Sequence, residues 1–109
     1  MEKNGGDFEM KRVKITVLKC TRNEFADQYG VEGLGKCPWH NEGDVFIFDR
    51  EKPAGLCEDA WIALERYVFA LSFGATEFWE GWLKEPGAVI NCCNDGMRPV
   101  IFKLEALED

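Results

Sequence analysis

The sequence contains no long apolar run, relatively few basic residues and only one histidine. No stretch approaches the ~20 apolar residues of a membrane-spanning helix. The first residues are polar and glycine-bearing, without an apolar signal region behind them. We therefore expect a cytoplasmic protein. No glycine-rich phosphate loop leads into a helix and no Ser-His-Asp spacing stands out, so neither nucleotide binding nor serine hydrolysis has support.

The charge balance excludes two further classes of partner. The chain carries 20 acidic against 13 basic residues, a formal net charge of −7. Binding to a nucleic-acid backbone requires lysines and arginines that displace counterions, and docking on anionic lipid requires a basic surface. We expect neither nucleic acid nor a membrane as partner.

Apolar and aromatic residues are abundant. They make up 46% of the 109 residues when counted together, with eight Phe, four Trp and two Tyr among them. This is enough for one core that needs neither disulfides nor metal to fold. We predict a flexible leader over residues 1–10 and a single domain over residues 11–109.

Periodicity predicts a mixture of strands and helices. Val13, Ile15 and Val17 alternate with polar residues, as in a half-buried antiparallel strand. Residues 45–48 are apolar on both faces, which predicts a central strand. Residues 88–93 and 100–104 form a predicted hairpin around an Asp-Gly turn.

The helices are predicted from capping residues and apolar spacing. Residues 24–29 follow Asn23 as N-cap, and the main helix spans about 58–73 before Gly74. One or two further helical turns are predicted over residues 78–83. The fold class is therefore α+β, a small antiparallel sheet or half-barrel with one main helix packed across it.

The five cysteines are the most specific chemical feature. Their odd number, in a reducing compartment, favours thiols or metal ligands over a disulfide framework. Cys37 and His40 form a C-x-x-H pair, a spacing that presents sulfur and imidazole to one Zn²⁺ ion. The alternative is a loop cysteine beside a surface histidine.

The remaining cysteines stand at predicted element ends. Cys57 precedes the main helix, where the helix dipole favours a thiolate, although the acidic residues after it oppose this effect. Cys92 and Cys93 are adjacent, so on a regular strand their side chains point to opposite faces. One of the two is thus available to join a cluster.

The order of these motifs resembles a family of short prokaryotic proteins of unestablished function. The segments that carry the resemblance are KRVKITVL (11–18), GKCP (35–38), GDVF (43–46), PAGLCEDAW (53–61) and CCNDGMRPVIF (92–102). In that family a cysteine recurs at the positions of Cys37, Cys57 and one of the terminal pair. The resemblance implies that these three meet in space, and it brings no activity, cofactor or substrate.

Three hypotheses of function remain open. The first is a metal-binding domain for zinc or iron, with Cys37, Cys57, Cys92 or Cys93 and His40 as ligands. The second is a non-enzymatic binding or assembly module, a homodimer whose contact uses at least one of Trp79 and Trp82. The third is a thiol redox protein with Cys57 or Cys93 as nucleophile.

Overall fold

The computed structural model describes residues 9–108 and confirms the α+β class as an open sheet with one main helix. Most of the predicted leader, residues 1–8, lies outside the described part. Four antiparallel strands have the order β2-β1-β4-β3. The elements are β1 (Val13–Cys20), α1 (Glu24–Tyr29), β2 (Val45–Phe48), α2 (Glu58–Ser72), β3 (Ala88–Cys92) and β4 (Val100–Ala106).

The two central strands, β1 and β4, are the first and last of the chain. Ile15 of β1 lies opposite Leu104 of β4, and both side chains are fully buried under α2. The register shifts between Val17 and Lys19, so one extra residue bends β1 near its end. This bulge directs Cys20 to the same buried side as Val17.

Strand β2 is an edge strand, so its predicted central position is wrong. Its side chains Val45 and Ile47 are exposed although they are aliphatic. The strand has only four residues, a length typical of sheet edges. Strand β4 occupies the other side of β1, a long-range pairing that apolar patterning within β2 does not reveal.

Helix α2 packs its predicted apolar stripe across the sheet. Leu64, Val68 and Leu71 are fully buried, and Trp61 stacks on Phe48 with ring centroids 5.8 Å apart. The helix ends in a Schellman motif: Ala75 N–H donates to Ala70 O at 3.0 Å, and Gly74 adopts φ +100°. The predicted stop at Gly74 is confirmed.

Residues 78–83 form turns, and the predicted helical turns there are wrong. Trp79 has φ +48° and Gly81 has φ +83°, which is incompatible with continuing a right-handed helix. A hydrogen bond from Trp82 N–H to Trp79 O, 2.8 Å, closes the turn. The two tryptophans, three residues apart, stand at the two ends of this turn.

The predicted core is confirmed apart from partial exposure at its margin. Phe46 and Ile101 are half-buried, whereas Phe102 is fully buried. The other predicted core residues are buried: Val13, Ile15, Val17, Phe48, Leu64, Val68 and Leu71. Over residues 9–108, neither helix combines the length and apolarity needed to cross a membrane.

Candidate functional site

The cysteines gather at one end of the sheet, where several elements begin or end. Cys20, the last residue of β1, lies opposite Val100, the first residue of β4. Cys93 follows β3 and its N–H donates to Val100 O at 3.2 Å. Asn94 Nδ2 reaches Asp59 O in the first turn of α2, at 3.2 Å. Cys20, Cys37, Cys57 and Cys93 all contact the same buried core.

His40 lies at the centre of this end and connects three segments. Its side chain is only 4% exposed, between the rings of Phe46 and Phe102 at centroid distances of 5.3 and 6.0 Å. Its Nε2 accepts a hydrogen bond from Cys57 N–H at 3.2 Å, just before α2. Its carbonyl oxygen accepts one from Cys20 Sγ at 3.3 Å. The imidazole thus acts as an N-terminal cap supplied by a distant loop.

The hydrogen bond from Cys57 N–H requires a neutral imidazole. An Nε2 that accepts a hydrogen bond carries no proton, so the network assigns the proton to Nδ1. Burial lowers the pKa of His40 below its ordinary value of 6.5, and Asp44 opposes the shift in part. The site therefore holds an uncharged histidine at neutral pH.

A tight turn fixes the loop that carries His40. Asp44 N–H donates to Asn41 O at 3.0 Å, and Asp44 Oδ2 accepts from Asn41 N–H at 2.9 Å. Gly43 has φ +94° and pairs with Val17 through its N–H, while Val17 N–H donates to Asp44 O, both at 2.8 Å. This is a glycine bulge that extends the β1–β2 pairing. It anchors the loop to β1 next to Cys20.

Cys20 and Cys37 line one shallow cavity of about 340 Å³ together with Lys36, His40, Asn41 and Glu42. Cys20 is buried and Cys37 is half-exposed. Burial raises the pKa of the Cys20 thiol, with further contributions from the negative charges of Glu42 and of an ionised Cys37. Glu42 Oε2 accepts from Cys20 N–H at 3.0 Å, which lowers the pKa of Glu42.

Cys92 and Cys93 point to opposite faces, as predicted. Cys93 packs against the core, and its Sγ accepts from Val100 N–H at 3.4 Å. Cys92 lies opposite Ile101. It is two residues from the exposed Ile90 on the same strand, so both side chains point to the same face of the sheet. Burial raises the pKa of Cys92, and the neighbouring Cys93 adds to the shift. Of the pair, Cys93 belongs to the cysteine end of the core.

The predicted metal ligands lie at one end of the sheet, and over residues 9–108 they form no ligand set. Over residues 9–108, no three His, Cys, Asp or Glu side chains are placed to hold a metal ion. The Nε2 of His40 is occupied by Cys57 N–H, and all five cysteines are free thiols. The alternative interpretation, in which His40 is a surface histidine, is wrong because the residue is buried.

Sequence reasoning missed two features of this region. One is the pairing of Cys20 with the Cys37 loop, which depends on the β1 bulge and on Gly43. The other is the role of His40 as a cap. A glycine followed by aspartate before a strand was the available signal for the bulge.

Comparison of the chain with models of protein families, with curated proteins and with solved structures finds no match. The family resemblance stays a prediction. Function is therefore argued from the geometry of the molecule alone.

Proposed function

We propose that this protein is a non-enzymatic assembly module that forms a homodimer through an aromatic surface beside β3. The aromatic surface consists of Trp79, Trp82, Leu83 and Ile90. Trp79 and Trp82 stack with centroids 6.3 Å apart, and Trp82, Leu83 and Ile90 line one groove of about 370 Å³. The exposure of Trp79, Trp82 and Ile90 supports the proposal.

Two stacked tryptophans present a larger exposed apolar area than a single exposed ring does. Trp82 is 79% exposed and Trp79 is 37% exposed, although each offers a large apolar area. Tyr67 of α2 supports the inner ring, with its centroid 5.6 Å from that of Trp79. A tryptophan held on a rigid support is a typical anchor of a protein interface.

The adjoining edge of the sheet favours a second copy as the partner. The pairing of Asn91 and Val89 with β4 directs the peptide groups of Ile90 outward. Ala88 N–H donates to Glu85 O at 3.4 Å, and Cys92 N–H donates to Asn91 Oδ1 at 2.8 Å. Of the three outward N–H groups of β3, those of Ala88 and Cys92 already have acceptors. The N–H of Ile90 is therefore the one available to pair with a second chain.

Antiparallel pairing of Ile90 with Ile90 of a second copy satisfies both peptide groups about a two-fold axis. The same axis brings the two aromatic surfaces alongside each other. The β3 residues carry no charge, so the pairing itself brings no like charges together.

The charges around the groove are compatible with self-association. Lys103 Nζ lies 3.0 Å from Glu85 and 3.7 Å from Glu105. This rim holds both signs, in contrast to the acidic chain as a whole. An isologous contact needs such a self-complementary rim.

The proposal is tested by sedimentation of the wild type and three variants. We expect a wild-type dimer, and at least a tenfold loss of association in Trp82→Ser and in Ile90→Lys. Trp39→Ser is the matched control, since Trp39 is similarly exposed on a distant loop. Unchanged circular dichroism verifies folding. A monomeric wild type, or equal loss in the control, contradicts the proposal.

Metal binding stays a second prediction with its own test. A cluster of Cys37, Cys57 and Cys93 would need the three segments to move, and His40 would have to release Cys57 N–H to bind through Nε2. Metal analysis of anaerobically purified protein, with thiol titration beside it, decides the matter. Stoichiometric zinc or iron with protected thiols would establish this function.

A further inference from the structure

We propose that Cys37 and Cys20 form a reversible intramolecular disulfide when the protein meets a small-molecule disulfide of the glutathione type. The two thiols line the same open cavity, where Cys37 is half-exposed and Cys20 is buried. This site is separate from the aromatic surface, so it stands independently of the proposed dimer. It differs also from the redox hypothesis of Cys57 or Cys93 as nucleophile.

The two cysteines differ in exposure to solvent. This difference determines which thiol reacts first with the disulfide reagent. Cys37 lies in a loop, is half-exposed and has Lys36 beside it in the wall of the cavity. Cys20 is buried, and its Sγ is held by the carbonyl of His40 at 3.3 Å. A reagent that enters the cavity therefore meets Cys37 first, and Cys20 is the resolving thiol.

The local backbone allows the two sulfurs to approach. Cys37 follows Gly33 and Gly35, and a Cβ added at either glycine would meet no atom within 4 Å. Both glycines therefore lie in open space, so the backbone before Cys37 can change conformation without a steric clash at these two positions. Cys20 is fixed by the sheet, so the movement needed for disulfide geometry falls on the Cys37 loop.

The chemistry balances with the disulfide reagent as oxidant. The Cys37 thiolate attacks one sulfur of glutathione disulfide, forming a mixed disulfide and releasing one glutathione thiolate. The Cys20 thiol then loses its proton to water and attacks the Cys37 sulfur, releasing the second glutathione thiolate. The protein loses two electrons and two protons, and one glutathione disulfide is reduced to two glutathione molecules.

Forming this bond alters the helix cap. The Cys20 thiol stops donating to His40 O once its proton is gone. The same His40 holds Cys57 N–H through its ring. Disulfide formation in the cavity therefore weakens the hydrogen bond between His40 Nε2 and Cys57 N–H at the start of α2. Amide hydrogen exchange at Cys57 reports this step directly.

The test uses the full chain incubated with glutathione disulfide, followed by thiol counting and peptide mapping. Trypsin separates the two cysteines onto residues 20–22 and 37–50, while Cys57 falls on residues 51–66. We expect loss of two of the five thiols, a linked peptide pair 20–22 with 37–50, and reversal by dithiothreitol. We also expect faster exchange of Cys57 N–H in the oxidised protein.

Three variants make the result decisive. Cys37→Ser abolishes the linkage and leaves no mixed disulfide at Cys20, whereas Cys92→Ser, on the opposite face of the sheet, leaves it unchanged. If Cys20→Ser folds, it stops at a glutathione adduct on Cys37. A stable adduct on Cys37 in the wild type, linkage of Cys37 to Cys57, or retention of all thiols overturns the proposal.

Discussion

At the residue scale, one imidazole determines how the loop, the first strand and the main helix meet. His40 accepts Cys57 N–H through Nε2 and is enclosed by Phe46 and Phe102. Its carbonyl holds Cys20. A side chain that caps a helix from outside that helix must keep its acceptor atom unprotonated. This requirement makes the stability of the fold depend on pH.

We predict that the protein loses stability as the pH falls below about 6.5. Burial lowers the pKa of His40 from its ordinary value of 6.5. At a pH between the two pKa values, the histidine is therefore protonated in the unfolded chain and neutral in the folded one. The contribution of neutral His40 to the free energy of unfolding is fully present above the pKa of the unfolded state. It is lost as the pH falls through the pKa of the folded state. Urea unfolding between pH 7.5 and pH 5, in steps of about half a unit, measures it.

The control for this prediction is His40→Gln, an uncharged side chain with an acceptor oxygen. Because the chain has one histidine, no other imidazole titrates in this interval. The lowered carboxyl pKa values of Asp27, Glu42 and Asp95 act in a more acidic range. An equal loss of stability in the variant over the same interval refutes the assignment to His40.

At the scale of elements, sequence patterns over a few residues correctly predicted the features that depend only on neighbouring residues. The apolar stripe of α2, the Asn23 cap of α1 and the Gly74 stop were readable because each depends on residues a few positions apart. The edge position of β2 was not, since it depends on β4 pairing with β1 across most of the chain. In the turns at residues 78–83, Trp79 packs against Tyr67 of α2, a contact that local spacing does not predict.

Leu64→Ala tests the assignment of the helix stripe. Leu64 is fully buried between α2 and the sheet, so its truncation should cost about 2–5 kcal/mol of unfolding free energy. Ile62→Ala is the matched control two positions away, because Ile62 is 57% exposed and should change stability by less than about 0.5 kcal/mol. Urea unfolding gives both values. Similar losses in the two variants would show that the stripe has another orientation.

Gly43→Ala tests the glycine bulge. Gly43 has φ +94°, a conformation that costs a residue with a Cβ about 1–2 kcal/mol. The strain falls on the turn that anchors the His40 loop to Val17. Gly35→Ala is the control, since Gly35 has an ordinary φ and open space around it. A loss of unfolding free energy no larger than in the control would contradict the bulge.

At the scale of the whole molecule, the cysteine end shows what sequence reasoning captured and what it missed. The prediction that Cys37, Cys57 and one of Cys92 or Cys93 meet in space stays a prediction; the structure places Cys37, Cys57 and Cys93 against one core. Ligand geometry depends on side-chain direction, and over residues 9–108 those directions form no metal-binding group. Cys20 belongs to the site because a one-residue bulge in β1 turns its side chain to the buried face of the sheet. Such a shift of parity is invisible to an alternating pattern.

The last prediction concerns the net charge and depends on the proposed dimer. Two chains of formal charge −7 repel each other at long range, whereas the aromatic surface and the Ile90 pairing attract at contact. Salt screens the repulsion, with a Debye length that falls from about 30 Å at 0.01 M to about 10 Å at 0.1 M. Apolar burial is not screened, so we expect the dissociation constant of the wild-type dimer to fall several-fold over this range. Sedimentation equilibrium at the two salt concentrations measures it, with Trp82→Ser expected to stay monomeric in both. A dimer that weakens as salt is added would show that ion pairs, and not the aromatic surface, hold the two chains together.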